Sequence, residues 1–237
     1  MIRNYLKVAL RNIFKHKFFS AINILGMTVG ITACLLIILY VKDELSYDRF
    51  HAHADRIYQV GLHGKIGGQD IRVSNTCPPL AVAMVEAIPE VESATRISNY
   101  FGEVIVKLDD KSFIEDKVFF VDSNFFDFFS FRLIEGDAKT ALKEPNSVVL
   151  TPKMAGKYFP SGQALGKLLV IGNENKTYKI TGIVQAAPPA SHVHYEFLIS
   201  ASSSDDLKGT IWLNNFLYTY FTLKENASVA NVERKFN

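Results

Sequence analysis

Residues 18–41 read Phe-Phe-Ser-Ala-Ile-Asn-Ile-Leu-Gly-Met-Thr-Val-Gly-Ile-Thr-Ala-Cys-Leu-Leu-Ile-Ile-Leu-Tyr-Val, 24 residues without a charge. As a helix this run is roughly 36 Å long, enough to cross a hydrocarbon core about 30 Å thick with some tilt. Thirteen of its residues are Phe, Ile, Leu or Val. Together they favour insertion by about 4 to 8 kcal/mol, which Asn23, Thr28, Thr32 and two glycines reduce without reversing. A secretory signal would have a shorter apolar region and a small-x-small cleavage site, which Tyr40-Val-Lys-Asp-Glu44 does not offer. A soluble core helix would keep a polar face, and residues 35–41 are apolar all round. The run is therefore expected to be a transmembrane helix.

Working outward, Arg3, Lys7, Arg11, Lys15 and Lys17 precede the run with no acidic residue among them. The positive-inside rule places this end in the cytoplasm and residues after 41 outside. Arg3, Lys7, Arg11 and Lys15 recur every fourth position, so they form one stripe on a helix over residues 1–17, with Leu6, Leu10, Ile13 and Phe14 largely away from it. Two readings fit: an amphipathic helix on anionic lipid, or a basic flank that only fixes topology. Gly26 and Gly30 form a small-xxx-small pair suited to close packing with another membrane helix, although glycine is common in such helices anyway.

About 195 residues follow the run, enough for one large domain or two small ones. The net charge of +2 points away from nucleic acid. Cys34 lies within the membrane run and Cys77 outside it, so no disulfide is expected.

Along the exported part, Ser46 is expected to cap a helical turn over 48–55, and residues 56–62 to form a strand. Residues 63–68 suit a hairpin turn before a strand at 70–74. Pro78-Pro79 opens a helix over 80–88, followed by a strand near 91–98. Further strands are expected at 104–108, 112–121, 147–150, 168–171, 176–184, 195–200 and 217–223. Helices are expected at 122–129, capped by Asp122 or Ser123, at 151–158, capped by Thr151, and after Ser228. Residues 202–209 read as exposed. The last helix carries Val229, Val232 and Phe236 on one face. That stripe needs burial, which suggests a chain that continues or a partner surface.

Motifs for chemistry are missing: no phosphate-binding G-x-x-x-x-G-K-[ST] loop, no H-E-x-x-H and no G-x-S-x-G. His51/His53 and His192/His194, with Asp55 or Glu196, lack metal-ligand spacing and read as polar loop residues. Asp43, Glu44 and Asp48 read as a solvated juxtamembrane linker, and the aromatic run 119–131 as core. No catalytic, cofactor or metal residue is assigned.

Several segments carry a resemblance. They are Leu10-Arg-Asn-Ile-Phe-Lys-His-Lys17, Asp43-Glu-Leu-Ser-Tyr-Asp-Arg-Phe-His51, Ala54-Asp-Arg-Ile-Tyr58, Pro78-Pro-Leu80, Pro89-Glu-Val91, Asp122-Ser-Asn-Phe-Phe126, Pro145-Asn-Ser-Val-Val-Leu-Thr151, Ala155-Gly-Lys-Tyr-Phe159, Gly166-Lys167, Thr181-Gly-Ile-Val184 and residues 188–192. In this order, over nearly the whole chain, they resemble MacB-like/FtsX-like ABC transporter permeases of the Bacteroidetes type.

The resemblance implies an α+β protein: an amphipathic and a transmembrane helix, then a mixed α/β, porter-like periplasmic part (residues 46–98 and 215–237) with a mostly β insertion (residues 99–214). It implies a permease subunit in a bacterial inner membrane, working as a homodimer or paired permease with a cytoplasmic ATPase that alone binds ATP. Its periplasmic domain would transmit ATPase-driven motion for export or extraction of a substrate. A periplasmic adaptor protein is left open as a further partner. Three further spans and the loop that meets the ATPase are expected beyond these residues, so this stretch alone would transport nothing. The alternative is a single-span, membrane-anchored ligand-binding or sensor module.

Overall fold

A computed structural model describes residues 2–99, 102–160 and 162–236. Contacts divide the chain into two units, Met1–Tyr47 and Asp48–Asn237.

The first unit is α1 (Ile2–Lys15) and α2 (Lys17–Glu44), separated at His16, whose φ of −116° and ψ of 53° leave the helical region. Arg3, Lys7, Arg11 and Lys15 all fall in α1, exposed and spaced by four. The 28 residues of α2 span roughly 42 Å. None of them is buried within the chain, and the Thr28 hydroxyl donates to Ile24 O at 2.7 Å, which satisfies it without water. The helix meets the length and composition needed to cross a membrane. A Cβ added at Gly26 or Gly30 would meet no atom within 4 Å, so both glycines lie on open surface one turn apart. The Ser46 hydroxyl donates to Asp43 O at 2.6 Å and closes α2; it does not open a following helix as expected.

In the second unit the chain runs through β1 (Ile57–Gln59), β2 (Leu62–Ile66), β3 (Gln69–Val73), α3 (Leu80–Ala87), β4 (Val91–Asn99), β5 (Val104–Leu108) and β6 (Lys111–Glu115). It continues through β7 (Val118–Val121), α4 (Phe125–Phe128), β8 (Leu133–Glu135), β9 (Ser147–Leu150), α5 (Pro152–Tyr158), β10 (Leu168–Ile171), β11 (Lys176–Val184), β12 (Phe197–Ser200), β13 (Tyr218–Leu223) and α6 (Val229–Phe236). One sheet orders them β1-β13-β4-β7-β12-β9-β11-β10-β5-β6, with β8 beside β11; β2 and β3 form a separate hairpin. The sheet is mostly antiparallel, with parallel pairs β7–β12 and β9–β11. It joins residues of the expected α/β part to those of the expected insertion through β4 and β7.

The central strands explain the continuous apolar runs in the sequence. Ser-Val-Val-Leu of β9 and Phe-Leu-Ile-Ser of β12 are buried at every position. Val148, Leu150, Phe197 and Ile199 enter one core with Met154 and Tyr158 of α5, while Val149 and Leu198 enter a second with Phe125, Phe128, Phe129 and Phe131. A strand covered on both faces has no reason to alternate. The aromatic run is core, as the sequence suggested.

Several local expectations are corrected. Residues 112–121 form two strands: β6 turns back on β5 at the sheet edge, and β7 lies between β4 and β12. Both halves are apolar enough to hide the break at Asp116-Lys117. The stretch expected to be exposed, 202–209, overlaps two 3-10 turns, Ala201–Ser203 and Asp206–Lys208, that bury Ser203 and Leu207. Asp122 does not cap α4, whose N-cap is Asn124; its carboxylate accepts from Arg96. Thr151 does hold the N-cap position of α5, but its hydroxyl donates to Glu196 instead of accepting from the first turn. The stripe of α6 finds cover inside the chain, since Val232 is buried with Met84, Ile88, Val91, Phe221 and Leu223. The side chain of Phe236 lies outside the described residues.

Gly136 shows how tightly β8 is laid on β11. Its φ is +94°, and an added Cβ would stand 2.5 Å from Thr181 O, a backbone atom that cannot move aside. Gly136→Ala should therefore destabilise the domain by about 3 kcal/mol. Gly156→Ala, on the open face of α5, should instead stabilise it by about 0.5–1 kcal/mol. Urea unfolding followed by near-UV circular dichroism reads both.

Candidate functional site

Asp48 begins the second unit in a conformation that L-residues seldom adopt, with φ of +55°. Asparagine and aspartate tolerate this region best. The turn lets the Asp48 N–H donate to Ala190 O at 2.9 Å. Its carboxylate accepts from the His192 backbone N–H at 3.1 Å and from His192 Nδ1 in a short bond. Two segments 144 positions apart are thereby tied by three hydrogen bonds.

A second tie follows. The Ser130 N–H donates to His51 Nδ1 at 3.1 Å, and the Ala52 N–H donates to Ser130 Oγ at 2.8 Å. An amide donating to Nδ1 requires the neutral tautomer with hydrogen on Nε2. His51 is 7% exposed, with its ring against Phe50, Phe129 and Phe131 at centroid distances of 4.0, 5.1 and 5.1 Å. Burial pushes its ionisation below the ordinary imidazole value, opposed in part by the Asp48 charge.

The third tie is Arg56, which donates to Glu92 Oε2 at 2.9 Å and Leu223 O at 3.0 Å and meets His53 Nδ1 at 3.1 Å. It fixes the entry of β1 onto β13 and β4. A cavity of about 200 Å3 lies against these ties, lined by Asp48, His51, Phe129, His192, Val193 and Tyr220. Burial, with the Asp48 charge adding to it, pushes the Tyr220 hydroxyl up to about 12.

The residues singled out in the sequence separate here. Asp48 belongs to this joint and not to a solvated linker, and His51 lies in a loop but is buried. Asp55 pairs with Arg49, and Glu196 with Thr151 and Lys153, so each carboxylate is engaged away from the histidine nearest to it in sequence. Among the described residues no group of three His, Cys, Asp or Glu side chains could hold a metal ion. Gly26, Gly30 and the basic stripe of α1 belong to the first unit.

One polar centre was not foreseen. Arg96 grips the Asp122 carboxylate from Nε and a terminal nitrogen at 2.9 and 2.7 Å, and also donates to Pro78 O and Leu207 O at 2.9 and 2.8 Å. A lone arginine inside a strand, Thr-Arg-Ile, was the only signal.

The segments that meet at the joint, 43–51, 54–58 and 188–192, are among those that carry the family resemblance. The model of the MacB-like periplasmic core domain matches residues 20–237. This chain belongs to the MacB-like periplasmic core domain family. It is 26% identical over 193 residues to the uncharacterized ABC transporter permease YvrN of Bacillus subtilis (strain 168), covering 76% of this chain and 46% of that protein. The chain thus spans about half the length of that relative. Among solved structures, a domain of a protein described as a permease from Porphyromonas gingivalis matches with a TM-score of 0.69 and 25% identity, over 79% of this chain and 81% of that one. The periplasmic region of MacB from Actinobacillus actinomycetemcomitans matches with a TM-score of 0.52 and 14% identity, over 68% and 71%, a likeness of fold. The family and the apolar helix indicate a membrane protein with a periplasmic domain of ABC permease type. The family is one of transporter components, and it implies an ATPase partner in general.

Asp48→Ala removes both hydrogen bonds that the carboxylate accepts from His192 and places alanine at positive φ, which should cost about 2 kcal/mol. Asp48→Asn keeps the backbone tolerance and should cost less than half of that. Hydrogen exchange should show the His192 amide losing protection in Asp48→Ala before the amides of β9 and β12 do. Equal losses throughout would mean that the effect is global.

Proposed function

We propose that this chain is the N-terminal portion of an ABC permease subunit in a bacterial inner membrane, N-terminus in the cytoplasm. Its periplasmic domain transmits ATPase-driven motion for export or extraction of a substrate. The observation that carries this reading is the joint. The first residues of the domain are held by Asp48–His192 and by His51, Ala52 and Ser130 to two distant parts of the fold. A flexible tether would need neither left-handed backbone nor buried histidine. A force-bearing connection needs both ends fixed.

The other parts of the reading follow from the first unit. ATP is bound and hydrolysed on a separate cytoplasmic subunit, and this chain binds no cofactor. Arg3, Lys7, Arg11 and Lys15 line the cytoplasmic membrane surface beside anionic headgroups. Gly26 and Gly30 offer a close-packing surface to another membrane helix, of the same permease or of a second copy in a homodimer or paired permease. A periplasmic adaptor is compatible with this reading and is not required by it.

The test uses the intact permease, carrying these residues, reconstituted with its ATPase. Spin labels on the exposed β5–β6 turn of two paired subunits should report a distance that changes by several ångströms between the nucleotide-free and ATP-trapped states. Distances that ignore nucleotide would refute motion transmission. A membrane-impermeant maleimide should label a cysteine placed at Ser204 in whole cells and not one placed at Lys7; the reverse pattern would refute the topology.

A further inference from the structure

The joint contains one buried side chain whose hydrogen bonding cannot survive a proton, His51; His53, whose Nδ1 accepts from Arg56, is exposed. His51 Nδ1 is the acceptor for the Ser130 N–H, and the neighbouring Ala52 N–H uses the Ser130 hydroxyl, so residues 51 and 52 close a reciprocal clasp on residue 130. A proton on Nδ1 would face the amide hydrogen of Ser130 directly. Two donors would oppose each other, and that amide would be left without its acceptor. The surroundings do not welcome the charge either. Phe50, Phe129 and Phe131 surround the ring.

The ionisable groups that face His51 across the cavity are Asp48 from its own segment, His192 from the loop before β12 and Tyr220 from β13. The segment after α4 contributes Phe129, Ser130 and Phe131, none of them a titrating group at ordinary pH. Asp48 favours the protonated ring but is already committed to His192 through two bonds. That second tie is of opposite character. An imidazolium donates from both nitrogens, so the Asp48–His192 bond tolerates a protonated His192.

We propose that the His51 clasp is an acid-opened latch within the joint: protonation of His51 frees residues 51–52 from Ser130 while the Asp48–His192 tie holds. The joint is then stiff at neutral pH and loosened in acid, which makes coupling between the membrane helix and the periplasmic domain responsive to the pH outside the cell. The proposal rests on the reading of this segment as the joint. The sign follows from the burial of the ring. Because the closed state holds the His51 ionisation below its ordinary value, the open state takes up the proton first. The clasp is therefore complete above the ordinary imidazole value, and is lost as pH falls through it toward the lowered one.

The test is amide hydrogen exchange on the 237-residue chain in lipid nanodiscs, corrected for intrinsic rates and referenced to the amides of β9 and β12. Between about pH 7.5 and about pH 5.5, protection of the Ala52 and Ser130 amides should fall by about tenfold. In His51→Asn, whose side-chain oxygen lies near the place of Nδ1 and does not titrate, it should stay constant. No loss in the natural chain, or an equal loss in the variant, overturns the latch. Amides 52 and 130 unprotected already at neutral pH would overturn the joint itself along with the latch. A measurement that needs no variant is the 15N spectrum of the His51 ring. Hydrogen on Nε2 at neutral pH, with Nδ1 protonation coinciding with loss of protection, supports the latch; a ring protonated while protection persists contradicts it.

Discussion

The carboxylate of Asp48 holds together what the sequence keeps 144 residues apart. Its left-handed backbone turns the chain, its N–H reaches Ala190, and its oxygens take both the backbone and the ring of His192. Everything beyond depends on that turn. It sets where residues 50–52 meet the aromatic core, where Arg56 reaches Glu92 and Leu223, and hence the register in which β1 pairs with β13. Each tie is modest, since a net hydrogen bond contributes only about 1 kcal/mol. Their value lies in being several, near one another and directed at different parts of the sheet.

The sheet behind the joint is built to be stiff. β9 and β12 are buried on both faces, one core packing α5 and the other packing the phenylalanines of residues 125–131. Close-packed interiors transmit displacement with little internal deformation. The His51 ring is in contact with that second core. In the proposed function, a push on residues 48–54 would be delivered to the middle of the domain instead of being absorbed in a loop.

Much of the fold was legible in advance, for reasons that differ by element. The long apolar helix α2 follows from length and the absence of charge, and β9, β12 and the β10–β11 hairpin from short apolar runs bounded by turn residues. The split of residues 112–121 was marked only by the charged run Glu115-Asp116-Lys117, which contains neither glycine nor proline and so reads equally well as the polar face of one continuous strand; Glu115 itself is buried against Lys157 and Tyr158. Thr151 takes the N-cap position its type suggested, and Asp122 does not; only the structure shows Glu196 and Arg96 engaging their side chains. The joint was legible only as familiar segments. Nothing local pairs Asp48 with His192, and a histidine beside phenylalanine reads equally well as loop or core.

The central claim is that the joint carries motion from the membrane to the domain. The most direct measurement compares ATP hydrolysis with periplasmic domain movement in reconstituted permease–ATPase carrying Asp48→Ala and His192→Ala, singly and together. The account predicts that hydrolysis persists while the nucleotide-dependent distance change between paired domains shrinks, with the double variant no worse than the single ones because both break one tie. Full domain movement in the double variant would contradict it.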